Sequence, residues 1–347
     1  MKAMSVIPGQ PDSAIAEEVP DPPESDGSIQ VDGLLVGICG TDIEITRGYG
    51  QPPPGQQRLV IGHESLGRVT AAPPGAGVKP GDLVVGVVRR PDPVPCPACA
   101  ADQWDFCQNG QYTERGIKGR NGYGASRWRV DPRFAIPVPA SLGDLGVLTE
   151  PASVVAKGWE QTERIAARAP VGGRVALVVG AGPIGLLAAL LGVQRGYEVH
   201  VVDQVTDGPK PRLVADLGAT YHHGAITDLD LRPDVVMECT GVGQLVFDLA
   251  GTLATAGVIC LAGLASGQHS VPVNLDAVNS ELVLENAVIF GTVNAAKRNY
   301  AQAVEALAKA DPGWLGGLIT RRVPLGSWPD ALTRQPNDVK VTVDLTD

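Results

Sequence analysis

Aromatic residues make up only 4% of the 347-residue chain, 28 basic residues face 38 acidic ones, and only six cysteines are present. Each scarcity excludes a class. A net charge of −10 offers no broad basic face to displace the counterions of a polyanion, which argues against a general nucleic-acid or anionic-membrane binder. Six thiols are too sparse for a disulfide scaffold, and a chain of this length buries enough core not to need one. The opening MKAMSVIPGQPDSAIAEEVP lacks an apolar stretch ahead of a cleavage site, so no secretory leader is read there and a reducing cytoplasm is expected. Internal repeats and low-complexity tracts are missing as well. With 44% hydrophobic residues and near-zero mean hydropathy, the chain reads as soluble and globular, with room for two domains.

One stretch runs against a soluble chain. Val175 to Val193 is 19 residues without a polar side chain, long enough to span a bilayer. Its centre, Gly180-Ala181-Gly182-Pro183-Ile184-Gly185, would interrupt a spanning helix, whereas a strand, a tight turn and a new helix account for every residue. No membrane segment is therefore expected.

The first 90 residues alternate short apolar runs (Val31 to Val36, Leu59 to Ile61, Leu66 to Val69, Leu83 to Val88) with Pro- and Gly-rich turns, which predicts a compact barrel-like β domain. From Arg174 the rhythm becomes strand, turn, helix, strand. Strands are expected at Val175 to Val179, Glu198 to Asp203, Val235 to Met237, Val258 to Leu261 and Val288 to Phe290. Between the first two lies a helix with Ile184, Leu187, Ala188 and Leu191 on one face. Such alternation builds an α/β, doubly wound parallel sheet. A helix at Tyr300 to Ala308 and a strand at Val339 to Leu345 are expected to return to the first domain, giving domains 1–158 (completed by 295–347) and 159–294.

Gly180-x-Gly182-x-x-Gly185 falls between strand and helix, and Asp203 ends the next strand 18 residues later. The first glycine permits a tight turn, the second admits a pyrophosphate, the third lets helix and strand pack closely, and the helix N-terminus favours the negative charge. A carboxylate at Asp203 can accept both ribose hydroxyls of NAD and would repel the 2′-phosphate of NADP. Lys210 and Arg212, seven and nine positions on, are far for a phosphate clamp unless the loop folds back. NAD is expected to be preferred, with NADP as the other candidate.

Cys96-x2-Cys99-x7-Cys107 has the spacing of a tetrahedral zinc lobe with three thiolates, and Asp92 is the candidate fourth ligand. Three ordinary cysteines without an ion is the competing reading. A second, dispersed set comprises Cys39 in Gly-Ile-Cys-Gly-Thr-Asp, His63-Glu64 in Gly-His-Glu-Ser-Leu-Gly, and Glu150 in Thr-Glu-Pro. Singly, each could be a buried filler.

Taken together, in this order and spacing, these segments resemble the zinc-dependent medium-chain alcohol dehydrogenase superfamily over the whole chain. Val87-Val88-Arg89-Arg90-Pro91, Tyr112 to Gly119, Glu150-Pro151 with Val154-Val155, and Gly291-Thr292-Val293-Asn294 are similar to its glucose 1-dehydrogenase branch. The resemblance implies a GroES-like β-barrel catalytic domain and a Rossmann domain. It implies a catalytic zinc on Cys39, His63 and Glu150, with Glu64 as an exchangeable ligand. Adjacent strand residues point to opposite faces, so joint binding by His63 and Glu64 would need a kink. The branch's structural zinc resembles what the three-thiol lobe would bind, but that pattern begins with one more cysteine, and here Asp92 and Pro93 stand near its place. Cofactor contacts are implied for Gly180, Ala181, Gly182, Pro183, Ile184, Gly185, Asp203, Ala262, Gly263, Leu264, Thr292, Val293 and Asn294.

Zinc would polarise the substrate hydroxyl, and Thr41 is expected to take the substrate proton and pass it on. Glu114, Glu150 and Asn294 suit the ring hydroxyls of a sugar, with Arg89 or Arg90 either near that pocket or exposed. The expected activity is NAD(P)-dependent oxidation at C1 of D-glucose or a related aldose, the alternative being another polyol or cyclitol. A zinc-free enoyl or quinone reductase and a non-catalytic NAD(H) sensor are the readings from other classes. The partner is then a small sugar, and a homodimer or homotetramer follows from the resemblance.

Overall fold

The computed structural model describes residues 1–170, 172–265, 270 and 272–346. The expected domain ranges run through 171, 266–269, 271 and 347, which lie outside the described residues. The chain divides into two units, Met1–Ser153 with Asn294–Asp347, and Val154–Val293, so the junctions fall slightly before those read from sequence.

In the first unit a seven-stranded sheet runs in the order Ala135–Val138, Leu83–Gly86, Glu64–Ala71, Ile29–Ile38, Lys340–Asp344, Ile319–Pro324, with Arg127–Val130 also paired to Ile29–Ile38. All pairs are antiparallel except the last two strands of that order, which are parallel. A smaller sheet places Lys2–Ile7 between Gln10–Glu18 and Leu59–Val60. The predicted apolar runs mark these strands, but their limits differ: Ile29–Ile38 and Glu64–Ala71 are longer than their apolar centres, and Leu83–Gly86 stops short of Val88. Met4, Val36, Ile45, Leu59, Ile61, Leu325, Trp328 and Val343 form the core of this unit. Strand Ile29–Ile38 is central. Its C-terminal end pairs Ile38 with Val341, which brings the last strand of the chain beside Cys39.

The second unit is a six-stranded parallel sheet in the order Thr220–His223, Glu198–Asp203, Val175–Val179, Val235–Glu238, Val258–Leu261, Val288–Gly291. Numbered along the chain this is 3-2-1-4-5-6, the doubly wound order whose ligands bind outside the carboxyl ends of the strands. Strand Thr220–His223 is not legible in the sequence, because Tyr-His-His carries no apolar run. Helix Pro183–Gln194 has the expected place but not the expected amphipathic stripe. Leu186 to Gly192 are all buried, while Ile184 is only half-buried. A helix enclosed on all sides reads as uniformly apolar, which is what made this stretch resemble a membrane span. Among the described residues no helix is long and apolar enough to cross a membrane.

Candidate active site

Strand Ile29–Ile38 ends at Cys39, which caps the helix Gly40–Thr46. The Thr41 N–H donates to Cys39 Sγ at 3.2 Å, and the Cys39 N–H donates to Asp42 Oδ2 at 2.9 Å. This local exchange turns the sulfur toward His63, whose Nε2 lies 3.2 Å away. The other ring nitrogen, Nδ1, lies 3.5 Å from Asp42 Oδ1. A buried carboxylate behind Nδ1 holds the proton there and leaves Nε2 as the free donor atom, the arrangement that orients a metal-binding imidazole. Burial alone would lower the His63 pKa, but Cys39 and Asp42 outweigh it and raise it well above the usual value. Burial would likewise raise the Asp42 carboxyl, yet His63 and the Cys39 N–H hold it below the carboxylate range.

Donor atoms of Cys39, Asp42 and His63 lie within 4.8 Å of one another, as do those of His63, Glu64 and Glu150, and His63 belongs to both groups. The anticipated conflict between His63 and Glu64 does not arise. The strand begins only at Glu64, and Gly62 at φ +92° turns the backbone just before it. Glu64 is also engaged elsewhere: its carboxylate pairs with Lys340 Nζ, which donates in addition to the Ile38 carbonyl at 3.1 Å. Both side chains are at most 2% exposed. Gly37 makes room for this pair, since a Cβ there would stand 2.0 Å from Glu64 Oε2 and 2.9 Å from Lys340 Cε. Glu150, in the first turn of Thr149–Ala166, is buried too. Its burial raises the carboxyl to about 7, with His63 opposing and Glu64 adding to the rise.

Glu114 and Asn294, far apart in sequence, meet through a 2.9 Å hydrogen bond from Asn294 Nδ2 to Glu114 Oε1. Arg89 joins them, donating to the same oxygen from Nε at 3.1 Å and forming an ion pair from the other arm at 3.0 Å. Neither arginine of the Arg89-Arg90 pair is exposed, which removes the surface reading of both. Arg90 donates to the Val87 carbonyl and the Tyr123 hydroxyl. Asn294 adopts φ +58°, so its side chain is aimed by an uncommon backbone conformation.

In the second unit two of the three glycines occupy positions that demand them. Gly180 has φ +95°; a Cβ on Gly185 would lie 1.7 Å from the Gly180 carbonyl oxygen; a Cβ on Gly182 would enter open space, the room a pyrophosphate would take. Pro183 starts the helix where its missing N–H costs nothing. Asp203 accepts from the Ala181 N–H at 2.6 Å and the Val205 N–H at 3.2 Å. The following loop does fold back: Lys210 Nζ stands 3.2 Å from Asp203 Oδ2. Burial opposes ionisation of Asp203, but the Ala181 N–H and Lys210 outweigh it and lower the pKa. Arg212 turns to the Gly208 carbonyl instead. The Ala262 and Gly263 N–H groups donate to the Glu238 carbonyl at 2.8 and 3.0 Å, Leu264 is 74% exposed, and Thr292 holds its Oγ1 buried without a protein partner.

Cys96, Cys99 and Cys107 converge with their sulfurs within 4.8 Å of one another. Asp92 is not among those grouped donors. Its N–H serves Cys99, its Oδ1 accepts from the Val94 N–H at 2.8 Å, and its buried Oδ2 has no protein partner. A two-residue turn engages Oδ1, and Oδ2 is the oxygen left for another partner.

The residues fit the groups they imply. Sulfur, imidazole and carboxylate donors within reach of one another suit a zinc ion, and so do three converged thiols. The glycine clearance at 182 and the orphaned Thr292 hydroxyl suit a dinucleotide. Sequence reasoning misses Asp42 and Lys340. Asp42 has a signal, an acid three residues after the helix cap, whereas Lys340 has none.

Comparison with known proteins follows the same line. The family described as Glucose dehydrogenase C-terminus matches residues 143–345, and the Alcohol dehydrogenase GroES-like domain matches residues 25–140. The glucose 1-dehydrogenases of Methanocella arvoryzae and Thermoproteus tenax are each 38% identical over 99% of both chains. The structure of Haloferax mediterranei glucose dehydrogenase in complex with NADP, Zn and gluconolactone is similar with a TM-score of 0.92 at 30% identity, covering 100% of both chains.

Proposed function

Because the chain belongs to the glucose dehydrogenase family of zinc-dependent medium-chain alcohol dehydrogenases, we propose that it oxidises the C1 hydroxyl of D-glucose or a related aldose to the aldonolactone and passes the hydride to NAD(P). Cys39, His63 and Glu150 hold the catalytic zinc, which when bound supplies a Lewis acid for the substrate hydroxyl. The nicotinamide supplies the hydride acceptor. The protein's own residues do the rest. Asp42 keeps the His63 ring in its binding tautomer, Lys340 offsets the charge of Glu64, and the Thr41 hydroxyl relays the proton leaving the C1 hydroxyl, passing its own on as it accepts. Glu114 and Asn294 pair the ring hydroxyls of the sugar, and a sugar of the wrong configuration leaves them unpaired. The lactone then hydrolyses to the sugar acid.

Asp203 favours NAD, and Lys210 beside it provides a cation for the 2′-phosphate, so both cofactors serve, with NAD preferred. Cys96, Cys99 and Cys107 hold a structural zinc. Helix Leu275–Leu284 exposes Leu275, Val283 and Leu284, and Val288–Gly291 is an edge strand of the parallel sheet, which supports a homodimer or homotetramer. The six free cysteines suit the reducing cytoplasm.

The observation that carries this reading is the 3.2 Å approach of Cys39 Sγ to His63 Nε2 with Asp42 behind the ring. A panel of aldoses and polyols, run with NAD and NADP and followed by reduced-cofactor absorbance, tests it. Turnover of glucose that is lost on chelation and restored by zinc is expected; activity with no aldose, or full activity in zinc-free protein, overturns it.

A further inference from the structure

Lys157 is a lysine that the proposed chemistry leaves unused, yet it is only 2% exposed. Its Nζ donates to the Val293 carbonyl at 2.9 Å. Val293 follows the last strand of the parallel sheet, Val288–Gly291, at the carboxyl edge where this topology places its ligands. The neighbouring position shows how closely the helix seats there. A Cβ on Gly158 would lie 3.2 Å from Cys260 Sγ and 3.7 Å from Thr292 Cγ2. Burial pushes the Cys260 thiol up to about 12, with Lys157 opposing. Thr292 is tied to the adjacent strand by its N–H on the Leu261 carbonyl at 2.9 Å, while its Oγ1 is buried and without a protein partner.

We propose that Lys157 is a positioning residue for the nicotinamide end of the cofactor: by holding the Val293 carbonyl, it fixes the Thr292-Val293 turn against which the carboxamide binds. The proposal rests on the reading above that 292–294 face the cofactor. A carboxamide carries one acceptor and one donor group, so the surface that recognises it must hold polar atoms at fixed angles. The Thr292 N–H bond to Leu261 holds one side of this turn, Lys157 holds the Val293 carbonyl beyond it, and a planar peptide held at its oxygen resists rotation. The Val293 side chain contributes no such restraint, being 61% exposed. Removing the donor from a part-buried carbonyl costs about tenfold in whatever equilibrium depends on it.

The test compares two ligands on the zinc-loaded enzyme by calorimetry, NADH and ADP-ribose, which lacks the nicotinamide. Lys157→Met is expected to raise the Kd of NADH about tenfold and leave that of ADP-ribose within about twofold. Lys157→Arg, which keeps a donor, is expected to recover most of the loss. Equal weakening of both ligands, or an unchanged NADH Kd, overturns the proposal alone. Failure of the unaltered enzyme to bind ADP-ribose overturns the dinucleotide reading and the proposal with it. If Lys157→Met shows no cooperative melt, Lys157→Leu, which also lacks a donor, replaces it under the same two criteria.

Discussion

Asp42→Asn separates two jobs that one carboxylate performs. Oδ2 accepts the Cys39 N–H at 2.9 Å and Oδ1 faces His63 Nδ1 at 3.5 Å, with the side chain fully buried. Asparagine has the same shape but only one acceptor oxygen. If that oxygen stays on the Cys39 N–H, the amide NH2 confronts His63 Nδ1, the ring proton moves to Nε2, and the ring can no longer ligate through that atom. If the oxygen turns to His63 instead, the NH2 confronts the Cys39 N–H and the helix cap is lost. The first outcome weakens metal binding by about 10- to 100-fold, the range for losing a carboxylate behind a ligating histidine, or about 1.4–2.8 kcal/mol. The second leaves zinc in place and costs about 1 kcal/mol of stability. Chelator competition reads the first and a thermal melt of the apo-protein reads the second. The expected result is the metal loss, because the cap distance is the shorter of the two contacts. A variant that matches the parent in both measurements would show that neither contact matters and refute the reasoning.

Lys210→Ala should raise KM for NADP more than KM for NAD, and Asp203→Ala should narrow the preference for NAD; unchanged ratios in initial-rate assays would detach the pair from the ribose. Cys107→Ser should cut bound zinc from two ions per chain to about one and lower the melting temperature by several degrees, checked by metal analysis and calorimetry. Lys340→Met leaves Glu64 buried without its cation and should destabilise the protein by about 3–5 kcal/mol in denaturant unfolding. The double variant Lys340→Met with Glu64→Gln should recover most of that loss.

What can be read in the sequence is local chemistry. The glycines at 180 and 185 answer to backbone demands that a side chain would break, Gly182 leaves open space beside them, and the thiols at 96, 99 and 107 come together through one short segment. Every strand of the parallel sheet except Thr220–His223 begins at the residue read from the sequence. That strand escapes because an edge position needs fewer apolar side chains. The site's outer contacts are unreadable for a different reason. Lys340 meets Glu64 across 276 positions, Asn294 meets Glu114 across 180, and Lys210 reaches Asp203 only because the loop between them bends back. Nothing in a local pattern specifies such pairings. Asp42 is the exception, a residue inside a recognised motif whose task becomes clear only when His63 arrives beside it.

The pairing of Glu64 with Lys340 also sets an order of events. Cys39, His63, Glu64 and Glu150 all precede the strand Lys340–Asp344 in the chain, so a partly folded chain in which that strand is undocked would hold acidic and thiol donors without Lys340 among them. A divalent ion bound at that stage would compensate the charge that Lys340 later shares. Strand Lys340–Asp344 then does more than extend a sheet: it carries the cation that Glu64 pairs with when this cluster is buried.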